Sequence, residues 1–267
     1  MRLLILAIAA ILLVQCQPPS EEVLFNRKDL SGWDVYVASA ADSIPPLGLN
    51  NDPNHMFSVV EIDEEPALRV SGEGYGGIST QQAFENYHLT LQFKWGENKI
   101  PSFANRKRDS GLLYHAVGPH GVDARAWMRS QEFQIQEGDC GDYWGVAGGI
   151  FDVPVNKNDK GELHYAKDGT MMTFSDSSSV GRRCWKDPDA EKPTGEWNTI
   201  DLYVKGNSSI HVINGVVVMR LYNSRQSDKG KESPLTKGKV QLQSEGCEIY
   251  YRNIKLHSID KIPDSVL

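Results

Sequence analysis

Apolar and polar residues alternate with a period of two through most of this chain. Runs of that kind stand at 33–37 (WDVYV), 56–62, 67–71, 75–80 (YGGIST), 88–95, 110–115, 132–137 (EFQIQE), 198–205, 209–213, 216–222, 239–245 (KVQLQSE) and 248–256. Gly, Asn, Asp and Pro clusters separate them, which predicts short strands in an antiparallel sandwich. In "SIHVINGVVVMRLY" the Asn214-Gly215 pair between two β runs predicts a tight type I′ hairpin. After residue 16 no stretch sustains a 3.6-residue apolar period, so helices should be few and short. The rhythm breaks between about Gly138 and Pro193, where Gly, Asp, Ser and Lys dominate. That stretch reads as a long loop insertion of the kind that carries function.

The ends differ from the middle. Residues 1–16, "MRLLILAIAAILLVQC", carry one Arg and an apolar run too short to cross a bilayer comfortably, which is a signal-peptide pattern. Cys16 directly after the run resembles a bacterial lipoprotein signal, whose cysteine is lipidated. Gln15 stands where a small residue is usual, and ordinary secretion is the alternative. Residues 17–22 then form a polar tether, and 23–267 a single domain. The expected location is the cell envelope of a bacterium, with membrane contact through a lipid anchor only.

Composition narrows the partners. The chain is 40% hydrophobic and 24% charged, enough for a proper core, and its net charge is −7. The basic residues gather only at "NRKR", 105–108, which reads as a solvated loop and not a nucleic-acid surface. Of the cysteines beyond Cys16, Cys140 and Cys184 flank the insertion and are the expected disulfide in an oxidising compartment. Cys247, at a strand start, is expected as a buried free thiol. Asp139, Asp142, Asp152, Asn156, Asn158 and Asp159 offer oxygens that a calcium ion uses. "NKNDKGE" lacks the flanking helices and full spacing, so it reads as a turn and no metal or other cofactor is expected.

The candidate chemistry centres on "EFQIQE". In a strand, Glu132, Gln134 and Gln136 share one face while Phe133 and Ile135 point to the core. Glu137 joins the polar face only if a bulge shifts it. Trp127, Tyr143, Trp144 and Trp185 lie on loops around this strand, where rings can stack on sugars. Trp33, Trp95 and Trp197 fall in or beside β runs and are assigned to the core or its rim. Asp109 and Ser110 read as turn residues before Gly111.

"EFQIQE" resembles the E-x-D-x-x-E signature of laminarinase-like glycoside hydrolases, which are concanavalin-A-like jelly rolls with two working glutamates. Gln134 replaces the middle aspartate and cannot titrate, which weighs against a displacement needing two matched carboxylates. A closer resemblance spans nearly the whole mature chain. "LFNRKDLSGWDVY", "RDSGLLYH", "EFQIQEGDCGDYWG", "GEWNTIDLYVKGNSSIHVINGV" and "GKVQLQSEGCEIYYRNIKL", in that order, are similar to the 3-keto-disaccharide hydrolase family. The resemblance implies an all-β jelly-roll sandwich of two antiparallel sheets and a carbohydrate substrate. It implies cleavage of the glycosidic bond in a 3-keto-glycoside, where the ketone acidifies C2–H and one general base suffices. Glu132 is then the main carboxylate, and His115, on the strand beside it, a second proton carrier. Gln134 and Glu137 are substrate contacts, with Gln243 and Glu245 from a bordering strand, one of whose carboxylates Arg252 would hold ionised. Trp127, Tyr143 and Trp144 complete the binding set. The alternatives are a non-catalytic carbohydrate-binding module and a two-carboxylate β-glucanase. Parent sugar and oligomeric state stay open.

Overall fold

Alternation delivers two antiparallel sheets in the computed structural model, which describes residues 21–38, 44–124 and 126–267. The site-bearing sheet has eight strands in the order Arg183–Cys184, Tyr143–Val146, Arg129–Gln136, Asp109–Val117, Lys239–Glu245, Tyr75–Thr80, Trp33–Val37 and Gly48–Leu49. The second sheet has twelve, with the long strands Tyr87–Lys99, Cys247–Ser258 and Asn198–Lys205 at its centre. Two short 3-10 turns are the only helical elements among the described residues. This is the jelly-roll sandwich the sequence predicts.

The core lies between the sheets. Leu112, Phe133, Ile135, Ile78 and Leu242 from one meet Phe93, Leu91, Ile200, Leu202 and Ile249 from the other, all fully buried. Polar pins cross the same layer: Ser110 Oγ lies 2.8 Å from Tyr251 Oη, and His211 sits beneath Phe133 with ring centroids 4.2 Å apart. The imidazole of His211 also reaches Gly141 O at 3.0 Å and Tyr114 Oη at 3.2 Å. Burial lowers its pKa to about 3, so it stays neutral and structural. Asn214 and Gly215 take φ of 50° and 81°, the two left-handed residues that a type I′ hairpin requires.

Several local expectations change. The 138–193 stretch is not structureless: Tyr143–Val146, Gly149–Lys157, Leu163–Tyr165, Thr170–Phe174 and Arg183–Cys184 are strands within it. Gly-rich bends and a charged composition had masked their short period. Glu21 and Glu22, placed in the tether, belong to a strand, Glu21–Val23, paired with Lys255, Leu256 and His257. The signal and Cys16 lie outside the described residues. Cys140 and Cys184 are free buried thiols and not a disulfide. Cys184 stands opposite Tyr143 in a strand pair, with its Sγ 3.8 Å from Leu163 O. Cys247 is the buried free thiol expected.

Candidate functional site

Register decides which side chains meet. Leu113 opposes Glu132, Gly111 opposes Gln134, and Asp109 opposes Gln136. On the other flank Gln241 opposes Leu113, while Gln243 and Glu245 oppose Gly77 and Tyr75. Partners in register share a face. One face of the sheet, turned away from the core, therefore carries Asp109, Glu132, Gln134, Gln136, Gln241, Gln243 and Glu245 together, with Trp144 opposite Glu132.

That face would ordinarily be wet, yet Glu132 and Gln134 are each only 6% exposed. Residues 118–124 and 126–128 fold over it. Ala126 and Trp127 pack on Leu113, Val146 and Ala38 in a small second apolar cluster, and Trp127 Nε1 donates to Gly76 O at 3.0 Å. Met128 N donates to Gln241 Oε1, also at 3.0 Å. Asp123 on this loop accepts from Arg182 Nη1 at 2.8 Å, and Arg182 and Arg183 stack over the Trp144 ring at 5.5 and 5.4 Å.

Gly111 forms the floor. A Cβ there would come within 2.3 Å of Glu132 Oε1 and 2.4 Å of Gln243 Oε1, so both side chains close over a bare backbone. Three buried polar atoms on this face have no hydrogen-bond partner in the protein: Gln134 Oε1, Gln243 Oε1 and Trp144 Nε1. Orphaned buried groups are costly, and a set of them on one face suits a polar ligand.

The carboxylates compete for charge. Burial first, then the charge of Asp109, pushes Glu132 well above the usual carboxylate range, against a smaller opposing pull from Arg182. Glu245 is raised in the same way by burial and by Asp109 and Glu132. Asp109 is raised to about 7, by burial above all, although it accepts from Gln136 and Gln134. Three acids in one half-dry cluster cannot all ionise at neutral pH, so the cluster holds protons that it can transfer.

Sequence reasoning brings Glu132, Gln134, Gln243, Glu245 and Trp144 to this face. Glu137 lies elsewhere, because the strand has no bulge there and strict alternation turns it to the opposite side. Its carboxylate meets Arg108 Nη1 at 3.0 Å and the Thr194 hydroxyl. Tyr143 opposes Phe133 and so points into the core, where its hydroxyl donates to Gln131 Oε1 at 2.8 Å. Trp127 is the buried anchor of the covering loop and not an open stacking platform. Trp185 lies outside the face, stacked on His164 and under Arg183 at 4.6 Å. Arg252 is on the other sheet, over the Trp197 ring at 3.9 Å and near Glu65, away from the acids. Four of the six residues with calcium-type oxygens are engaged elsewhere: Asp139 and Asp142 by Arg183, Asp152 by Arg225, and Asn158 in its own turn. Among the described residues no group of His, Cys, Asp or Glu could hold a metal ion.

His115 also leaves the site. A register shift follows Tyr114, and φ of 53° at His115 swings its ring off the face. It is fully buried, edge-on to Tyr87 and Tyr114 at 6.2 and 5.4 Å. Burial lowers its pKa to about 4, below the unfolded value of 6.5. The unfolded chain therefore binds a proton that the folded chain refuses, and His115 costs stability as pH falls from 6.5 towards 4. His115→Leu is expected to keep the rate of any catalysed reaction within about threefold, a residue outside the site contributing no proton transfer. It should also flatten the loss of thermal stability over that pH interval, read by melting curves at several pH values.

The sequence alone places Gln136 on this face but does not mark Asp109, Gly111 or Arg182 as belonging to it. Asp109, Gly111 and Leu113 alternate within "RDSGLLYH", but only the pairing with Gln136 shows which face they take.

Fold and face together define an all-β sandwich with a covered, acid- and amide-lined sheet face, whose unpaired polar atoms suit a polar ligand. The chain belongs to the 3-keto-alpha-glucoside-1,2-lyase-like domain family, whose model matches residues 20–257. This membership supports glycosidase-like function on carbohydrates. Two crystal structures of candidate glycosyl hydrolases from Parabacteroides distasonis ATCC 8503 are similar. One has 17% identity and a TM-score of 0.48, covering 90% of this chain and 94% of that one. The other has 18% identity and a TM-score of 0.49, covering 90% of this chain and 100% of that one. A carbohydrate binding module (CBM66) from Bacillus subtilis has 8% identity and a TM-score of 0.43, covering 76% of this chain and 92% of that one. No curated protein matches the chain.

Proposed function

We propose that this protein cleaves the glycosidic bond of 3-keto-glycosides by proton transfer, with Glu132 as the base. The observation that carries this reading is the set of three acids, Asp109, Glu132 and Glu245, whose buried charges compete on one amide-lined face. A ketone at C3 acidifies C2–H. Glu132, ionised, takes that proton, and the electron pair becomes an enolate on the C3 oxygen. Its collapse forms the C1–C2 double bond as the C1–O bond breaks and the aglycone oxygen gains a proton from the acid cluster. Water adding across the double bond then yields the free 3-keto sugar. The Trp144 N–H is the unpaired donor available to the developing enolate oxygen, and Gln134 Oε1 and Gln243 Oε1 are free to accept from sugar hydroxyls. A base raised by burial is a stronger base, and an acid near pH 7 is a matched donor.

Asp109 is the proposed donor to the leaving oxygen. It must be protonated while Glu132 is ionised, a minor proton arrangement of the coupled cluster because burial also raises Glu132, and activity falls as pH rises through about 7, where Asp109 loses its proton. Asp109→Asn is expected to lower kcat by about a hundredfold on a poor leaving group, in keeping with loss of one general acid. It should also remove that alkaline limb of the kcat profile. Assay of a 3-keto-glucoside and its unoxidised parent side by side tests the whole reading. Cleavage of the keto sugar alone supports it. Cleavage of the unoxidised parent favours paired-carboxylate hydrolysis, and binding with no turnover favours a carbohydrate-binding module. The pattern of residues 1–16 further supports export to the bacterial envelope, with lipidation at Cys16.

A further inference from the structure

A cavity of about 440 Å³ opens beside the acid-bearing face at Tyr75, and its chemistry is the opposite. Its walls are Val37, Ile44, Leu47, Met56, Tyr75 and Ile100, with Glu73, Asn54 and Ser102 as its polar groups. Tyr75 joins the two regions. It opposes Glu245 in register on the acid face, touches Trp127 of the covering loop with ring centroids 5.9 Å apart, and also lines the apolar cavity. Leu47, 44% exposed at the wall, continues the apolar lining formed by Val37, Met56 and Ile100, and a contiguous apolar lining of this kind marks a ligand-binding groove.

We infer that this cavity takes an apolar aglycone, so that the substrates are 3-keto-glycosides of aryl or alkyl alcohols in preference to disaccharides. The inference rests on the proposed cleavage at the acid cluster. The group on O1 must leave the polar pocket that holds the sugar ring, and a second sugar would strand its hydroxyls against Leu47, Met56 and Ile100 without hydrogen-bond partners. Such mismatch is penalised more heavily than a missing apolar contact. An aryl or alkyl group fills the space and is desolvated with gain.

The test compares a 3-keto-glucoside of a naphthyl alcohol with a 3-keto-disaccharide, on the wild type and on Leu47→Asp. Leu47 is exposed, outside the proton-transfer set, and its substitution leaves the core untouched. The wild type is expected to show a KM at least tenfold lower for the naphthyl glycoside. Leu47→Asp should raise that KM about tenfold while KM for the disaccharide stays level or falls, because the carboxylate gives the second sugar's hydroxyls a partner. Equal KM values for both substrates in the wild type, or equal effects of Leu47→Asp on both, overturn the inference while leaving the cleavage reaction in place. No cleavage of either keto substrate overturns both, and the two failures are thereby distinguished.

Discussion

Glu132→Gln is expected to lower turnover of a 3-keto-glucoside by a thousandfold or more while sugar binding persists, within the ~10²–10⁴ span of general-base catalysis compounded by loss of the cluster's proton balance. The substitution keeps shape and removes only the ability to take a proton. A trivial explanation, unfolding, is checked by the same variant. Because burial raises Glu132 above its unfolded pKa, the folded chain binds its proton more tightly, and its contribution to stability falls as pH rises. The Gln variant avoids that cost, so its melting temperature relative to wild type should increase from pH 5 to pH 8. Lost turnover with an unchanged or higher melting temperature at pH 8 marks a functional carboxylate. Retained turnover shows that Glu132 is not the base. Binding of an unreactive analogue, followed by calorimetry, completes the comparison.

Gly111→Ala is expected to have the second-largest effect, from a single methyl group. The position does not need a left-handed backbone, and the atoms that the new Cβ meets are the far ends of two flexible side chains, Glu132 and Gln243. Both can move, so the fold should survive with a small loss in melting temperature. What cannot survive is their joint placement over the strand. Displacement of a base by about 1 Å costs on the order of a hundredfold in rate, and kcat should fall by about that much. An unchanged kcat would show that the placement of the Glu132 carboxylate and the Gln243 amide over Gly111 does not matter to the reaction. A large melting-temperature loss would instead show that the neighbours cannot yield.

Where the alternation was strict, sequence and structure agree: Trp33–Val37, Asn198–Lys205 and Lys239–Glu245 have the bounds that the pattern predicts. One strand's face was legible too, since Glu132 and Gln134 must part from Phe133 and Ile135. Three kinds of information were out of reach. Register between strands sets Asp109 against Gln136 and exposes Gly111 beneath Glu132, and no local pattern encodes that pairing. Backbone turns of one residue were equally hidden. The positive φ at His115 removes a histidine that ideal alternation would leave on the site face, and the missing bulge at Glu137 keeps a glutamate from joining it. Tyr143 illustrates the third limit. It was read as a loop ring, yet it lies in a strand opposite Phe133, where the same period-two rule sends it to the core.

The covering loop explains why an outward strand face can do acid–base chemistry at all. Without Trp127 and Ala126 packed on Leu113, the acids would be solvated and their pKa values ordinary. Burial raises Glu132, Asp109 and Glu245 together, and proximity keeps them from ionising together.

The most direct test of the central claim is the fate of C2–H. Cleavage of a 3-keto-glucoside in D₂O, with the product examined by mass spectrometry and NMR at early times, should place one deuterium at C2 of the released 3-keto sugar. Incorporation should run faster than exchange into authentic 3-keto-glucose under the same conditions. A product that forms at full rate and keeps its protium at C2 would contradict proton abstraction by Glu132.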